Sequence, residues 1–215
     1  MKRDDDTGGL LIVISAPSGT GKISVLSEIL KIRPEIKFSV SVTTRKPRKG
    51  EHEGINYYFV SDEEFDTYIK KGDFIEWAEV YGNRYGTLKR TVQEILTKGQ
   101  TIILDIETVG AFNIKEQFPD AVLIFILPPS PEVLSERLRQ INTESPDFVK
   151  KRLTAAPKEM ERMTDSDYII LNDTLSAAVS RLDAIIEAEN LKSKRMLPFL
   201  SAWREFIDEC KTTED

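Results

Sequence analysis

"LLIVISAPSGTGKISVLSEILK", residues 10–31, reads as an apolar run, a glycine-bearing turn, a lysine and a helix. Leu10 to Ser15 is short and rich in β-branched residues, as a buried strand is. Residues 16–21 form the turn, Lys22 to Lys31 carries a helical pattern, and Pro34 closes the unit. The order matches the phosphate-binding loop G-x-x-x-x-G-K-[ST], in which backbone N–H groups at a helix N-terminus wrap a phosphate and a lysine reaches the terminal phosphates. Ala16 stands at the first glycine, Gly21 and Lys22 match, Gly19 adds a flexible point, and Ile23 replaces the final hydroxyl. The plainer alternative is a strand-turn-helix with a surface lysine; the strand before and the helix after favour nucleotide. Ala16, Pro17, Ser18, Gly19, Thr20, Gly21, Lys22, Ile23 and Ser24 are therefore the expected nucleotide-phosphate residues. Ile23 removes a ligand for Mg²⁺, and Ser24 does not replace it, since the next helical residue points about 100° away. Mg²⁺ keeps several waters in such sites, so a water is expected to fill the position.

The rest of the chain has the length of one domain with small insertions, at 215 residues. A net charge of −6 disfavours bulk nucleic-acid binding. One cysteine, Cys210, excludes an internal disulfide and fits a reducing compartment; with a single histidine it leaves no structural zinc set. The start, MKRDDDTGG, lacks a secretory apolar segment, and no run reaches a membrane span, so the cytoplasm is the expected location.

Strands are expected at Phe38 to Thr44, Tyr57 to Val60, Phe74 to Val80, Thr101 to Glu107, Val122 to Leu127 and Tyr168 to Leu171. Ser61 and Glu64 form a capping box for a helix over 62–71 ended by Gly72. "YGNRYGT" reads as a turn, residues 88–98 as a helix before Gly99, and "PPSPEV" as a helix start. Strands alternate with helices at both ends of the chain, which predicts a parallel sheet covered on both faces. Residues 39–87 break that alternation, as an inserted small α+β lobe would. Residues 134–161 are charged and mostly helical, a candidate mobile lid, in which Pro157 is expected to start, kink or break a helix.

Residues 43–60, "TTRKPRKGEHEGINYYFV", place Arg45 and Arg48 around a stiffening proline, with Tyr57 following. Arginine forks suit phosphate, although a solvated charge run is the commoner meaning of such a stretch. The spacing T-T-R-x-x-R-x-x-E-x-x-G-x-x-Y-x-F, met in full from Thr43 to Phe59, resembles the signature of guanylate kinases. The resemblance runs from Leu10 to about Glu189 and includes "SAPSGTGK", "FSVSVTTRKPR", "FIEWAEVYGNRYGT", "ILDIE", "IFILPPS", "KKRL" and "IILND".

That resemblance implies an α/β P-loop kinase core (8–38, 92–133 and 162–190), a GMP-binding lobe (39–91) and a helical lid (134–161); residues 191–215 lie beyond it and read as a C-terminal helical tail. It implies transfer of the γ-phosphoryl of ATP to GMP, with Mg²⁺ held mainly through ATP phosphates and water. Lys22, Arg45, Arg137 and Arg152 would carry catalysis. Arg45, Arg48, Tyr57 and Tyr85 would hold the GMP phosphate; Ser41, Glu76 and Thr87, with Gly86 between Tyr85 and Thr87, would form the guanine site. One carboxylate can accept from guanine N1–H and N2–H₂ while a hydroxyl donates to O6; adenine would turn a lone pair toward Glu76. The alternation in "FIEW" is imperfect and leaves Glu76 open as a surface carboxylate.

Asp105 and Glu107, two apart on a strand and so on one face, would lie near the GMP ribose-phosphate and the metal. A simple strand-end cap is their other reading. The family has Asp and Gln where this chain has Glu107 and Val109. In the lid, Arg137 and Arg152 are kept, but Ile141 and Asn142 replace an arginine and a glycine; Arg139 lies about 200° round the helix from position 141. Asn172 would contact adenine, or simply serve a turn. Ile23 and Ile141 keep a second reading alive, a binding module with impaired catalysis, and a kinase for another nucleotide is a third. Phe199, Leu200, Trp203, Phe206, Ile207 and Cys210 share one helical face, which is expected either to pack on the core or to join subunits as a homo-oligomer.

Overall fold

The computed structural model describes residues 8–80, 82–140, 146–200 and 203–207. Strand β1 (Leu10–Ser15) and helix α1 (Lys22–Ile32) open the chain as their pattern dictates. Next come β2 (Lys37–Phe38), β3 (Ser41–Thr43), β4 (Tyr57–Phe59), α2 (Asp62–Lys71), β5 (Phe74–Val80), β6 (Asn83–Leu88) and α3 (Lys89–Leu96). The chain then runs through β7 (Thr101–Asp105), α4 (Thr108–Gln117), β8 (Val122–Leu127), α5 (Pro131–Gln140), α6 (Pro146–Met160), β9 (Tyr168–Leu171), α7 (Leu175–Asn190) and α8 (Ser193–Met196).

Five strands in the order β2-β7-β1-β8-β9 pair in parallel. Because side chains alternate along a strand, β1 feeds two cores at once. Leu10, Ile12 and Ile14 pack with Val25, Ile29, Leu182 and Ile186 from α1 and α7. Leu11 and Val13 pack with Val92 of α3 and Phe112 and Ile114 of α4 on the other face. A second sheet, β4-β3-β6-β5, stands apart with its own small core of Val42, Phe65 and Phe74. The capping box of α2 forms as the sequence predicts: Ser61 Oγ accepts from Glu64 N–H, Glu64 accepts from Ser61 N–H, and Gly72 closes the helix at φ 68°.

The structure departs from the sequence expectations at four places. The single strand expected at 38–44 is two strands in different sheets: Ser39 N–H still donates to Ile103 in the core sheet, and Ser41 already pairs with Tyr57 in the lobe. "YGNRYGT" is mostly strand: Asn83–Leu88 pairs antiparallel with β5, and Gly82, at φ 78°, belongs to the reversal. The strand of 101–107 stops at Asp105, and Glu107 is the N-cap of α4, a helix with no clear apolar stripe to betray it. Pro157 neither starts nor ends α6 but lies near its end, where the missing N–H removes only one helical bond.

The tail divides. Arg195 turns back onto the core: Nε donates to Glu189 O (3.1 Å), Nη1 to Gly9 O (3.3 Å) and Nη2 to Asp120 O (3.2 Å). Its buried partner Glu189 also accepts from the Tyr168 hydroxyl at 2.7 Å. Removing one member of a buried charged cluster strands the others, so Arg195→Ala is expected to lower unfolding free energy by about 3 kcal/mol in urea titrations. Phe199, Trp203, Phe206 and Ile207, in contrast, are exposed, so their shared face does not pack on the core. Ile141, Asn142 and Cys210 lie outside the described residues, as does the side chain of Val109.

Candidate active site

The loop after β1 is held in shape from two sides. Gly19 and Gly21 have φ of 85° and 87°, the left-handed region where only glycine is unstrained. Space demands them too: a Cβ on Gly19 would strike Leu138 of α5 at 2.6 Å, and one on Gly21 would strike Asn172 Nδ2 at 2.6 Å. Ala16 and Pro17 are buried beneath the loop, and Ser18 and Gly19 are partly open. The Thr20 carbonyl accepts from Asn172 Nδ2 (2.7 Å) and from Arg137 Nη1 (3.1 Å), while Arg137 Nη2 donates to Asn172 O (3.0 Å). Arg137 therefore already rests on the loop, and the amide nitrogen of Asn172, expected at adenine, is engaged in supporting it.

Lys22 opens α1 and forms an ion pair with Asp105 at the end of β7. Burial pulls the ammonium down, but Asp105 and then Glu107 outweigh it and hold the group above its ordinary range. Lys22 is thus charged and poised beside the carboxylates. The side chains of Ile23 and Ser24 point into solvent, with Ile23 75% exposed. Above the loop, Glu159 of α6 meets the Ser18 N–H; burial and the Glu107 charge hold its carboxyl above the usual range against that bond, Lys22 and Arg152. No motif in the sequence marks Glu159.

Facing the loop is an open cleft lined by Ser41, Tyr57, Glu76, Ala78, Tyr85, Asp105, Ile106 and Glu107. The irregular alternation of "FIEW" is a β-bulge: register shifts between Phe74 and Glu76. Phe74 therefore fills the lobe core, Ile75 the main core and Glu76 the cleft. Glu76 is buried and accepts from Thr87 Oγ1 at 3.1 Å. Burial pushes its carboxyl up to about 7 against the Thr87 hydrogen bond, with the Glu107 charge adding to the rise. Gly86, between Tyr85 and Thr87, faces the other way: the Phe74 ring fills the place of its Cβ.

The basic loop brings Arg45 to the rim of this cleft. Its guanidinium lies 5.3 Å from the Tyr57 ring centre, and Tyr57 meets Tyr85 edge-on at 5.9 Å. Burial, then the Asp105 charge, pushes the Tyr57 hydroxyl up to about 12, so it stays protonated and able to donate. Glu51 organises the loop: it takes Arg45 Nη1 and Nη2 at 2.9 and 2.8 Å and the Arg48 N–H at 2.7 Å. Glu51 lies within the spaced motif, yet its role emerges only when the loop folds back on itself. Glu51→Gln is expected to raise KM for the phosphate-bearing acceptor about tenfold, with kcat changed less, in steady-state assays. Arg48 is exposed on the same loop.

Two sites thus face each other, a phosphate loop with its lysine and a carboxylate-hydroxyl cleft rimmed by arginine and tyrosines. The family model for guanylate kinase matches residues 9–189. The chain belongs to the guanylate kinase family. It is 49% identical over 187 residues to a guanylate kinase of Symbiobacterium thermophilum, covering 87% of this chain and 89% of that one. It is 46% identical over 187 residues to a guanylate kinase of Desulfitobacterium hafniense, covering 87% and 94%. The crystal structure of guanylate kinase from Anaplasma phagocytophilum matches with a TM-score of 0.75 at 35% identity, covering 93% of this chain and 97% of that one. Guanylate kinases are nucleoside monophosphate kinases and generally need a divalent metal. Among the described residues of this family member no three His, Cys, Asp or Glu side chains gather as a metal cage, and no helix is long and apolar enough to cross a membrane.

Proposed function

We propose that this chain transfers the γ-phosphoryl group of ATP to GMP, giving ADP and GDP. The observation that carries this reading is the bulge that turns the buried Glu76, bonded to Thr87, into the cleft opposite Lys22. Glu76 accepts from guanine N1–H and N2–H₂, and a hydroxyl of Ser41 or Thr87 serves O6. Arg45, Arg48, Tyr57 and Tyr85 grip the acceptor phosphate. The backbone of residues 18–24 and Lys22 hold the donor phosphates, and Arg137 and Arg152 offset charge as it builds on the transferred group. No general base is needed, because the acceptor phosphate is already anionic. Lys22 is passed from Asp105 to the donor phosphates when ATP binds.

The residues fit a metal only in part: Asp105 and Glu107 offer carboxylates near the loop, and Ile23 offers no hydroxyl. Mg²⁺ would be held mainly by ATP phosphates and water, with these carboxylates behind, and when bound it neutralises phosphate charge. Lobe and lid closure excludes water and suppresses ATP hydrolysis.

A coupled ADP-release assay tests the reading. GMP-dependent turnover well above the ATP-only rate supports it. Preference for AMP or a pyrimidine monophosphate points instead to another nucleotide kinase. Calorimetric GMP binding without turnover identifies a binding module, the reading that exposed Ile23 favours.

A further inference from the structure

Glycine inside a helix is disfavoured, because its backbone loses more freedom on ordering than alanine's. Gly110 stands in the first turn of α4 all the same. Its backbone does not require glycine: it is absent from the positive-φ residues, and its N–H makes an ordinary turn bond to Glu107 O at 3.0 Å. Space does require it. A Cβ here would lie 2.2 Å from Glu76 Oε2, closer than real contacts come, and 3.0 Å from Glu76 Cδ, a tight contact. The third neighbour, Ile106 Cγ2 at 3.0 Å, is a methyl group that can shift slightly. The carboxylate has less room to shift, because it is buried and its other oxygen accepts from Thr87.

We propose that Gly110 is a positioning residue for guanine recognition, its bare Cα forming the seat against which the Glu76 carboxylate is set toward the cleft. The inference rests on the ATP:GMP reading above. Two donors on one edge of guanine need both carboxylate oxygens near a common plane, and displacement by a fraction of an ångström loses one of them. Thr87 fixes Oε1 and Gly110 leaves the space for Oε2. A side chain at position 110 would push the carboxylate away from Thr87 and out of that plane. The donor loop and the phosphate grip lie on other elements and keep their geometry.

The test is steady-state kinetics of Gly110→Ala with GMP and with inosine 5′-monophosphate, which lacks the 2-amino donor. KM for GMP is expected to rise about tenfold, the preference for GMP over the inosine analogue to fall about fivefold, and kcat and KM for ATP to stay within about twofold. An unchanged KM, or a raised KM with unchanged preference, overturns the inference while wild-type GMP turnover leaves the parent reading standing. Absence of GMP turnover in the wild type removes the parent reading and this inference with it. Melting curves guard against a variant that folds poorly. In a Glu76→Ala background Gly110→Ala is expected to raise Tm by about 2–4 °C, as alanine does in an unobstructed helix. In the wild-type background it is expected to lower Tm, and equal effects in the two backgrounds overturn the contact itself.

Discussion

Glu76→Gln is expected to reduce kcat/KM for GMP by about 10²-fold or more, because a site built to pair with substrate donors rejects them once its own polarity is reversed. The amide keeps one acceptor, which Thr87 already uses, and turns a donor toward guanine's donors. Competition between GMP and AMP reads the effect directly; unchanged GMP preference would remove Glu76 from guanine recognition. The same residue carries a pH signature. Only the ionised carboxylate accepts both donors, so KM for GMP in the wild type should rise as pH falls below about 7. Stability runs the opposite way. The folded state binds the Glu76 proton more tightly than the unfolded state, so its contribution is full below the ordinary carboxylate range and is lost as pH rises toward 7. Above that point the buried charge costs about 3 kcal/mol, and Glu76→Gln should recover much of this in urea titrations at ~pH 8 while changing little at ~pH 4. The residue proposed to read the base is thus one whose charge the unliganded fold tolerates poorly.

Ile23→Ser is the second large expectation, and its sign is a gain. A loop hydroxyl would offer a bound divalent metal a protein ligand, and kcat for GMP phosphorylation should then rise about tenfold or more, with KM for GMP within about twofold. The Mg²⁺ concentration giving half-maximal rate should fall in parallel. Ile23 is 75% exposed, so removing its side chain sacrifices little packing and stability should stay within about 0.5 kcal/mol. A titration of rate against Mg²⁺ decides the matter: superimposable wild-type and variant curves would show that water already fills the position adequately.

Local signals in the chain already spelled out several of the elements that build the cleft. The apolar run before "SAPSGTGK" determined β1 and the loop, because a β-branched strand followed by left-handed glycines and a helix has few alternative geometries. The Ser61–Glu64 capping box specified α2 to the residue, since its two hydrogen bonds join groups three positions apart. The spaced motif from Thr43 to Phe59 named Arg45 and Tyr57, which the fold does bring together. Long-range consequences were hidden. That 38–44 serves two sheets depends on β7 and β4, each far along the chain. That Glu76 faces the cleft depends on a bulge whose partner is β6, which itself reads as a turn. Gly110 gains its reason only beside Glu76, 34 positions earlier in sequence. Sequence alone therefore determined β1, the phosphate loop, α2 and the family motifs, all products of short-range backbone and capping preferences. Tertiary structure alone decided which oxygen, amide or bare Cα meets which partner, because those meetings depend on sheet pairing and packing between distant segments.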